Sequence, residues 1–310
     1  MFDTAVSGVT TTDTRQALIK TVLDAMTSEH SKRAYQRHLT AFLTWHTAQG
    51  QPPLTKAVVQ AYKSHLQANG AGAGSINQAL CAIRKLVREA ADNGAVDPIV
   101  ANGVSAIKGV KSESLPAGRS ISPGELSGLL AAGAADASPA GARDAAIIAL
   151  LYSTGLRRAE AAALEVTDFD PESGELKILH AKGGKQRLAY VVNGAAAALA
   201  DWLTVRGSEP GALFVQIRKG GHITGAGLTP QGVYHILQQR ASRAGVTELT
   251  PHDFRRTFVG DLLDAGADLA TVQKMAGHSD PATTSRYDRR PDAAKKRAAG
   301  LLHTPYFGRG

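Results

Sequence analysis

Thr250-Pro-His-Asp-Phe-Arg255 sets an imidazole and a guanidinium three residues apart behind a capping threonine, a pattern suited to gripping a phosphate. A helix begun at Thr250, with Pro251 in its first turn, presents unpaired N–H groups and the positive end of its dipole. An anion placed there meets backbone donors, His252 and Arg255 together. Downstream, Gly277-His278 reads as a helix end, and Asp280-Pro281 opens a helix that carries Tyr287, nine residues after His278. The other tyrosines, Tyr35, Tyr62, Tyr152, Tyr190, Tyr234 and Tyr306, lack that company. A phenol has a free pKa of about 10, so Tyr287 can serve as a nucleophile on phosphorus only with cations to assist its deprotonation.

Two further segments supply cations. Thr154-Gly155-Leu156-Arg157-Arg158-Ala159-Glu160 offers adjacent arginines, which a helix would point about 100° apart. Ala181-Lys182-Gly183-Gly184-Lys185 lies between two strand-like stretches, Leu176 to His180 and Arg187 to Val192, a hairpin signal with two lysines at its turn. The residues alone do not choose within either pair.

In order, these segments resemble the tyrosine recombinase, or phage integrase, family. Its signature is Thr-Gly-Leu-Arg-x-x-Glu, a lysine in a β-hairpin turn, His-x-x-Arg, Leu-Gly-His or similar, and then the tyrosine. The resemblance covers roughly residues 150 to 290, and the Leu-Gly-His motif reads Met275-Ala276-Gly277-His278 here. The family's register selects Arg157 and Lys182. Two departures stand out: Ala181 replaces the glycine that usually precedes the lysine, and Arg256 replaces a frequent histidine.

The resemblance implies a site-specific DNA recombinase that cleaves and rejoins strands through a covalent 3′-phosphotyrosine with a free 5′-hydroxyl. No metal, ATP or other cofactor is expected. Arg157 and Arg255 are expected to clamp the non-bridging oxygens, being permanently charged and planar. Lys182 is the expected general acid for the 5′-oxygen, His252 the proton-transfer partner of Tyr287, and His278 a hydrogen-bond donor to the phosphate. Glu160 reads as orienting an arginine or steadying its helix. Storing the bond energy in the ester lets a second DNA end reverse the step.

These side chains need a scaffold, and the pattern along the chain predicts a mainly α protein with a small antiparallel β-sheet in two domains. Residues 1–107 carry amphipathic stripes such as Leu18, Ile19, Val22, Leu23 and Met26, with caps expected at Ser31, Thr55 and Ser75. By size and helix count this unit resembles the family's N-terminal, SAM-like core-binding domain. Residues 108–120 break into Gly, Ser, Pro and charge and read as a linker. Residues 121–310 form the expected catalytic domain. It opens on a capping box, Ser122-Pro-Gly-Glu125, and is helical apart from the hairpin, with caps also at Thr229 and Thr250.

Thirty-five Lys and Arg against 27 Asp and Glu, a net +8, favour a polyanionic partner. The resemblance implies that this partner is double-stranded DNA bearing a specific recombination site. Arg33, Arg37, Arg84, Lys85 and Arg88 of the first unit are candidate DNA contacts on its polar face, and Lys185 and Arg256 join them from the second. A solvated basic face is the plain alternative. The single cysteine, Cys81, sits among Ile76, Leu80 and Ile83 and reads as a small core residue, so a disulfide-free, cytoplasmic protein is expected. No apolar run reaches the ~18 residues of a membrane span, and the N-terminus lacks the features of a signal peptide.

Beyond Tyr287 come Arg289, Arg290, Lys295, Lys296 and Arg297, then Leu301, Leu302, Pro305, Tyr306 and Phe307. This basic and apolar tail is expected to pack on a neighbouring protomer in a homotetramer on two DNA sites, weakly associated or monomeric off DNA. Two rival readings share parts of this pattern, a type IB topoisomerase and a DNA-binding regulator that has lost catalysis. The full set of Arg157, Lys182, His252, Arg255, His278 and Tyr287 argues against the regulator. The helical first unit argues against the topoisomerase.

Overall fold

The computed structural model describes residues 12–111, 118–179, 186–278, 280–285 and 299–300, in two compact units spanning residues 1–115 and 116–310. Among the described residues no helix is long and apolar enough to cross a membrane.

The first unit is all helical: α1 (Thr12–Asp24), α2 (Glu29–Ala48), α3 (Lys56–Ala68), α4 (Ala73–Asp92) and α5 (Pro98–Ser105). The most amphipathic is α4, whose Ile76, Leu80, Ile83 and Val87 recur at helical spacing and meet Val22, Leu39, Phe42, Val59 and Val104. Ser28, not Ser31, caps α2, while Thr55 caps α3 as expected. Gly72 rather than Ser75 precedes α4. Cys81 is exposed, contrary to expectation. One position is about 100° of turn, so the inward neighbours Leu80 and Ala82 do not bring Cys81 with them. At the end of this unit Asn77 holds Val110 by a pair of hydrogen bonds of 2.8 and 2.9 Å, and Lys63 donates to the Lys108 carbonyl at 2.9 Å.

The second unit is built around α7 (Pro139–Thr154), where every residue from Ala146 to Leu151 is buried. Packed on it are α6 (Pro123–Ala134), α9 (Asn193–Arg206), α10 (Pro230–Arg243) and α11 (Pro251–Asp264). The core joins Leu129, Ile148, Leu199, Trp202, Phe214, Leu237 and Phe254. The Ser122–Glu125 capping box forms, and Thr229 caps α10. Charge is buried here as well. Asp144 receives Arg143 and Arg240, each at 2.8 Å, and Arg240 also reaches Asp136 at 2.7 Å and the Ala132 carbonyl at 2.9 Å, stitching α6, α7 and α10 together. Each ion is compensated, as burial requires.

Short elements connect this core to the site: α8 (Arg158–Ala162), α12 (Leu269–Ala276) and α13 (Pro281–Ser285). The expected hairpin is present as β1 (Glu175–Ile178) and β2 (Arg187–Tyr190), antiparallel, with Ile178 opposite Arg187 at the end nearest the connecting segment. A second antiparallel pair was not expected, β3 (Val215–Arg218) and β4 (His222–Gly227). Its signal was present in Val215, Ile217 and Ile223 around the turn Lys219-Gly220-Gly221, but the two glycines of β4 weaken it as a strand pattern.

Candidate active site

The start of α11 is fixed by a carboxylate that the sequence reading passed over. Asp253 is fully buried, and its Oδ2 accepts from the Thr250 backbone at 2.7 Å and the Thr250 hydroxyl at 2.8 Å. Its Oδ1 accepts from the Arg119 backbone at 2.9 Å. The Thr-x-x-Asp spacing of a capping box was the available signal. So anchored, the first turns of α11 place His252 and Arg255 on a cleft of ≈ 300 Å³ lined also by Leu156, Arg157, Arg158, Tyr234, Thr250 and Pro251.

Arg157 enters the same cleft from the end of α7. The chain leaves that helix through Gly155 at φ +59, where a Cβ would lie 2.4 Å from Phe258 Cδ1. Only glycine meets both demands. Arg157 then adopts extended backbone, φ −73 and ψ 150, as the cap of α8 rather than a residue within it. For that reason the expected 100° separation from Arg158 does not apply. Arg158 also lines the cleft, its guanidinium 5.7 Å from the centroid of the Tyr234 ring.

Glu160 organises the cations. Its carboxylate accepts from Arg157 Nη1 at 2.6 Å, the Arg157 backbone at 2.9 Å and Arg187 Nη2 at 2.8 Å. Burial opposes its ionisation, but the Arg187 hydrogen bond, the Arg157 amide, the Arg187 charge and the Arg157 side-chain hydrogen bond outweigh it and hold its pKa at about 2.

The last turn of α12 meets three guanidinium groups. Arg187 Nε donates to the Met275 carbonyl at 3.0 Å, Arg255 Nη2 to that of Ala276, and Arg157 Nη2 to that of Gly277 at 3.2 Å. Arg255 Nη1 donates in addition to the Gly155 carbonyl at 2.7 Å. These carbonyls are the negative end of the helix, and the cations complement it. Each terminal guanidinium nitrogen bears two hydrogens, so one carbonyl bond does not exhaust it.

Gly277 ends α12 at φ +64, as its sequence position suggested, and His278 follows at once. The His278 ring is oriented by Thr284, whose buried hydroxyl lies 2.9 Å from Nδ1. Burial first, then Arg255 and Arg157, bring the His278 pKa down to about 4, so the ring is neutral at pH 7. His252 keeps an exposed edge, yet desolvation of its packed side and the Arg255 charge lower its pKa too.

The structure thus brings together Arg157, His252, Arg255 and His278. Lys182, Lys185 and Tyr287 lie outside the described residues, as do the basic residues after Tyr287 and the apolar tail. Asp280-Pro281 does open a helix, α13, described as far as Ser285. Of the candidate DNA contacts, Arg33, Arg37 and Arg88 are exposed on the first unit. Lys85 pairs with Glu89 at 3.7 Å. Arg84 is half-buried and donates to the Ile107 carbonyl, which gives it a packing role within its own unit. Arg256 is half-buried on α11.

Comparison with known proteins agrees with this architecture. Residues 119–293 match the profile of the phage integrase family, and residues 20–94 match the phage integrase N-terminal SAM-like domain. The chain belongs to the phage integrase family, and it is a tyrosine recombinase. It is 32% identical over 267 residues to tyrosine recombinase XerD of Lacticaseibacillus casei, covering 82% of this chain and 85% of that one. It is 33% identical over 273 residues to tyrosine recombinase XerC of Alcanivorax borkumensis, covering 84% and 83%. The fold is shared with XerH site-specific recombinase bound to palindromic difH substrate, at TM-score 0.68 and 20% identity over 94% of this chain and 84% of that one.

Proposed function

We propose that this protein recombines DNA at a specific site by way of a covalent 3′-phosphotyrosine at Tyr287. The observation that carries the reading is the convergence of Arg157, His252 and Arg255 on one cleft at the start of α11, with His278 next in the chain to the Gly277 carbonyl that Arg157 holds and close enough to feel both arginine charges. The scissile phosphate sits there, its non-bridging oxygens facing the two arginines and the α11 N-terminus. The Tyr287 oxygen attacks phosphorus in line, the P–O5′ bond breaks, and Lys182 delivers a proton to the departing 5′-oxygen. His252, kept neutral, accepts the tyrosine's proton. His278, neutral and held by Thr284, hydrogen-bonds the phosphate without adding a charge.

The first domain, residues 1–107, docks DNA through Arg33, Arg37, Lys85 and Arg88, with Arg84 a lesser contributor. The segment 108–120 connects it to the catalytic domain, 121–310, which adds Lys185 and Arg256. Four protomers act on two sites, linked by the basic and apolar tail. A DNA duplex nicked beside the cleavage point traps the intermediate, because the short released strand diffuses away. Incubated in EDTA, the protein should give a denaturation-resistant adduct, and Tyr287→Phe should give none. The DNA recovered from the adduct reads out the recombination site. Absence of an adduct on a duplex that the protein binds would refute the proposal.

A further inference from the structure

Arg187 belongs to no part of the reaction so far, yet it is the most enclosed of the cations around Glu160. Its side chain is 8% exposed, against 32% for Arg157. It is the first residue of β2, paired across the ladder with Ile178. From there it reaches two elements remote in sequence, Glu160 by Nη2 and the Met275 carbonyl by Nε. The guanidinium also lies against Gly277, where a Cβ would come within 3.1 Å of Arg187 Cδ and 3.4 Å of Nε and Nη1. Nη1 itself is buried and has no hydrogen-bond partner among the described residues. A site chosen for fold stability alone has little reason to bury a third cation beside two that must bind phosphate, since like charges repel at this depth.

We infer that Arg187 is a positioning residue for the Arg157 phosphate clamp. This rests on the reading of Arg157 given above. Glu160 has two oxygens and two guanidinium partners. Arg187 takes Oε2 and so leaves Oε1 to Arg157 Nη1. By holding Met275 and packing closely against Gly277, Arg187 also fixes the carbonyl that Arg157 Nη2 uses. Both contacts that aim Arg157 therefore depend on where Arg187 stands. A forked, planar donor is needed for this, because one group must reach a carboxylate and a carbonyl in fixed directions; an ammonium of equal charge cannot.

The test is single-turnover cleavage of a nicked duplex carrying either an ordinary phosphate or a neutral methylphosphonate at the scissile position. Removing the non-bridging charge removes the need for an aimed arginine. Arg187→Lys and Arg187→Met should each slow cleavage of the phosphate by about tenfold to a hundredfold. On the methylphosphonate the slowing should be under about threefold relative to the unaltered protein, with binding of the duplex within about threefold on both.

Arg157→Ala is the control and should show the same selectivity. Equal slowing of the Arg187 variants on both substrates would overturn the inference, as would full activity of Arg187→Lys, which would leave charge and not geometry as the requirement. Unfolding of both variants would also overturn it and make Arg187 a structural strut. If Arg157→Ala is slowed equally on both substrates, it is the parent reading of Arg157 as the clamp that fails.

Discussion

Replacing Glu160 tests the organisation of the site most directly. A carboxyl whose pKa stands at about 2 rather than 4.5 favours its ionised form in the folded state by about 3 kcal/mol. Breaking a buried ion pair by removing one partner costs about 3–5 kcal/mol, because the other charge is left uncompensated. The two routes agree, so Glu160→Ala should destabilise the catalytic unit by about 3–4 kcal/mol. Glu160→Gln keeps an acceptor but no charge and should lose about 2 kcal/mol.

Urea unfolding followed by tryptophan fluorescence measures this cleanly, since Trp45 lies in the first unit and the fully buried Trp202 in the second. In a Trp45→Phe background the signal reports the catalytic unit alone. The pH dependence has a definite sign. The folded pKa lies below the unfolded one, so the contribution is present above pH 4.5 and is lost as pH falls towards 2. The gap between unaltered protein and Glu160→Gln should be flat from about pH 8 to 5.5 and narrow in more acid solution. A loss below about 1 kcal/mol for Glu160→Ala, or a gap that widens in acid, would refute the reasoning.

Gly155→Ala should cost about 2–4 kcal/mol from its left-handed backbone and the collision with Phe258, and should slow cleavage further by shifting the carbonyl that Arg255 holds. Denaturation and single-turnover rates check both effects, and a neutral result would contradict the packing at the end of α7. His278 should titrate near pH 4 in the DNA-free protein and move upward when phosphate neutralises the arginines around it, as followed by NMR of the ring C–H groups. Its depressed pKa makes its stabilising contribution full above pH 6.5 and lost as pH falls towards 4. A ring titrating near 6.5 without ligand would show that the cationic surroundings described here do not act on it.

Much of the site was legible because its signals are local. Thr250, His252 and Arg255 follow from a helix cap and a three-residue spacing, and Gly277-His278 from a helix end. Gly155 mattered for the same reason. Arg187 was not legible, because a charged residue at the start of a strand reads as solvent-facing. Its partners Glu160 and Met275 lie 27 and 88 residues away. Thr284 carries no local signal, because its role comes only from the fold that sets its hydroxyl beside the His278 ring. Arg158 was misjudged for a subtler reason: a helical rule was applied to a residue that begins where extended backbone hands over to helix. The hairpin at β3 and β4 was missed because β4, His-Ile-Thr-Gly-Ala-Gly, holds two glycines and a single large apolar residue, and the pair is irregular in register between Val215 and Ile217.

The carbonyls of Met275, Ala276 and Gly277 have a consequence for timing. A free arginine side chain loses about 2 kcal/mol of rotamer entropy when it is fixed. Here three arginines are ordered by groups that belong to the backbone and cannot leave, so that ordering is complete when the chain folds. On the function proposed above, DNA arriving at the cleft meets donors already aimed, and its binding energy is available for bending, unpairing or selecting the duplex instead of arranging the protein.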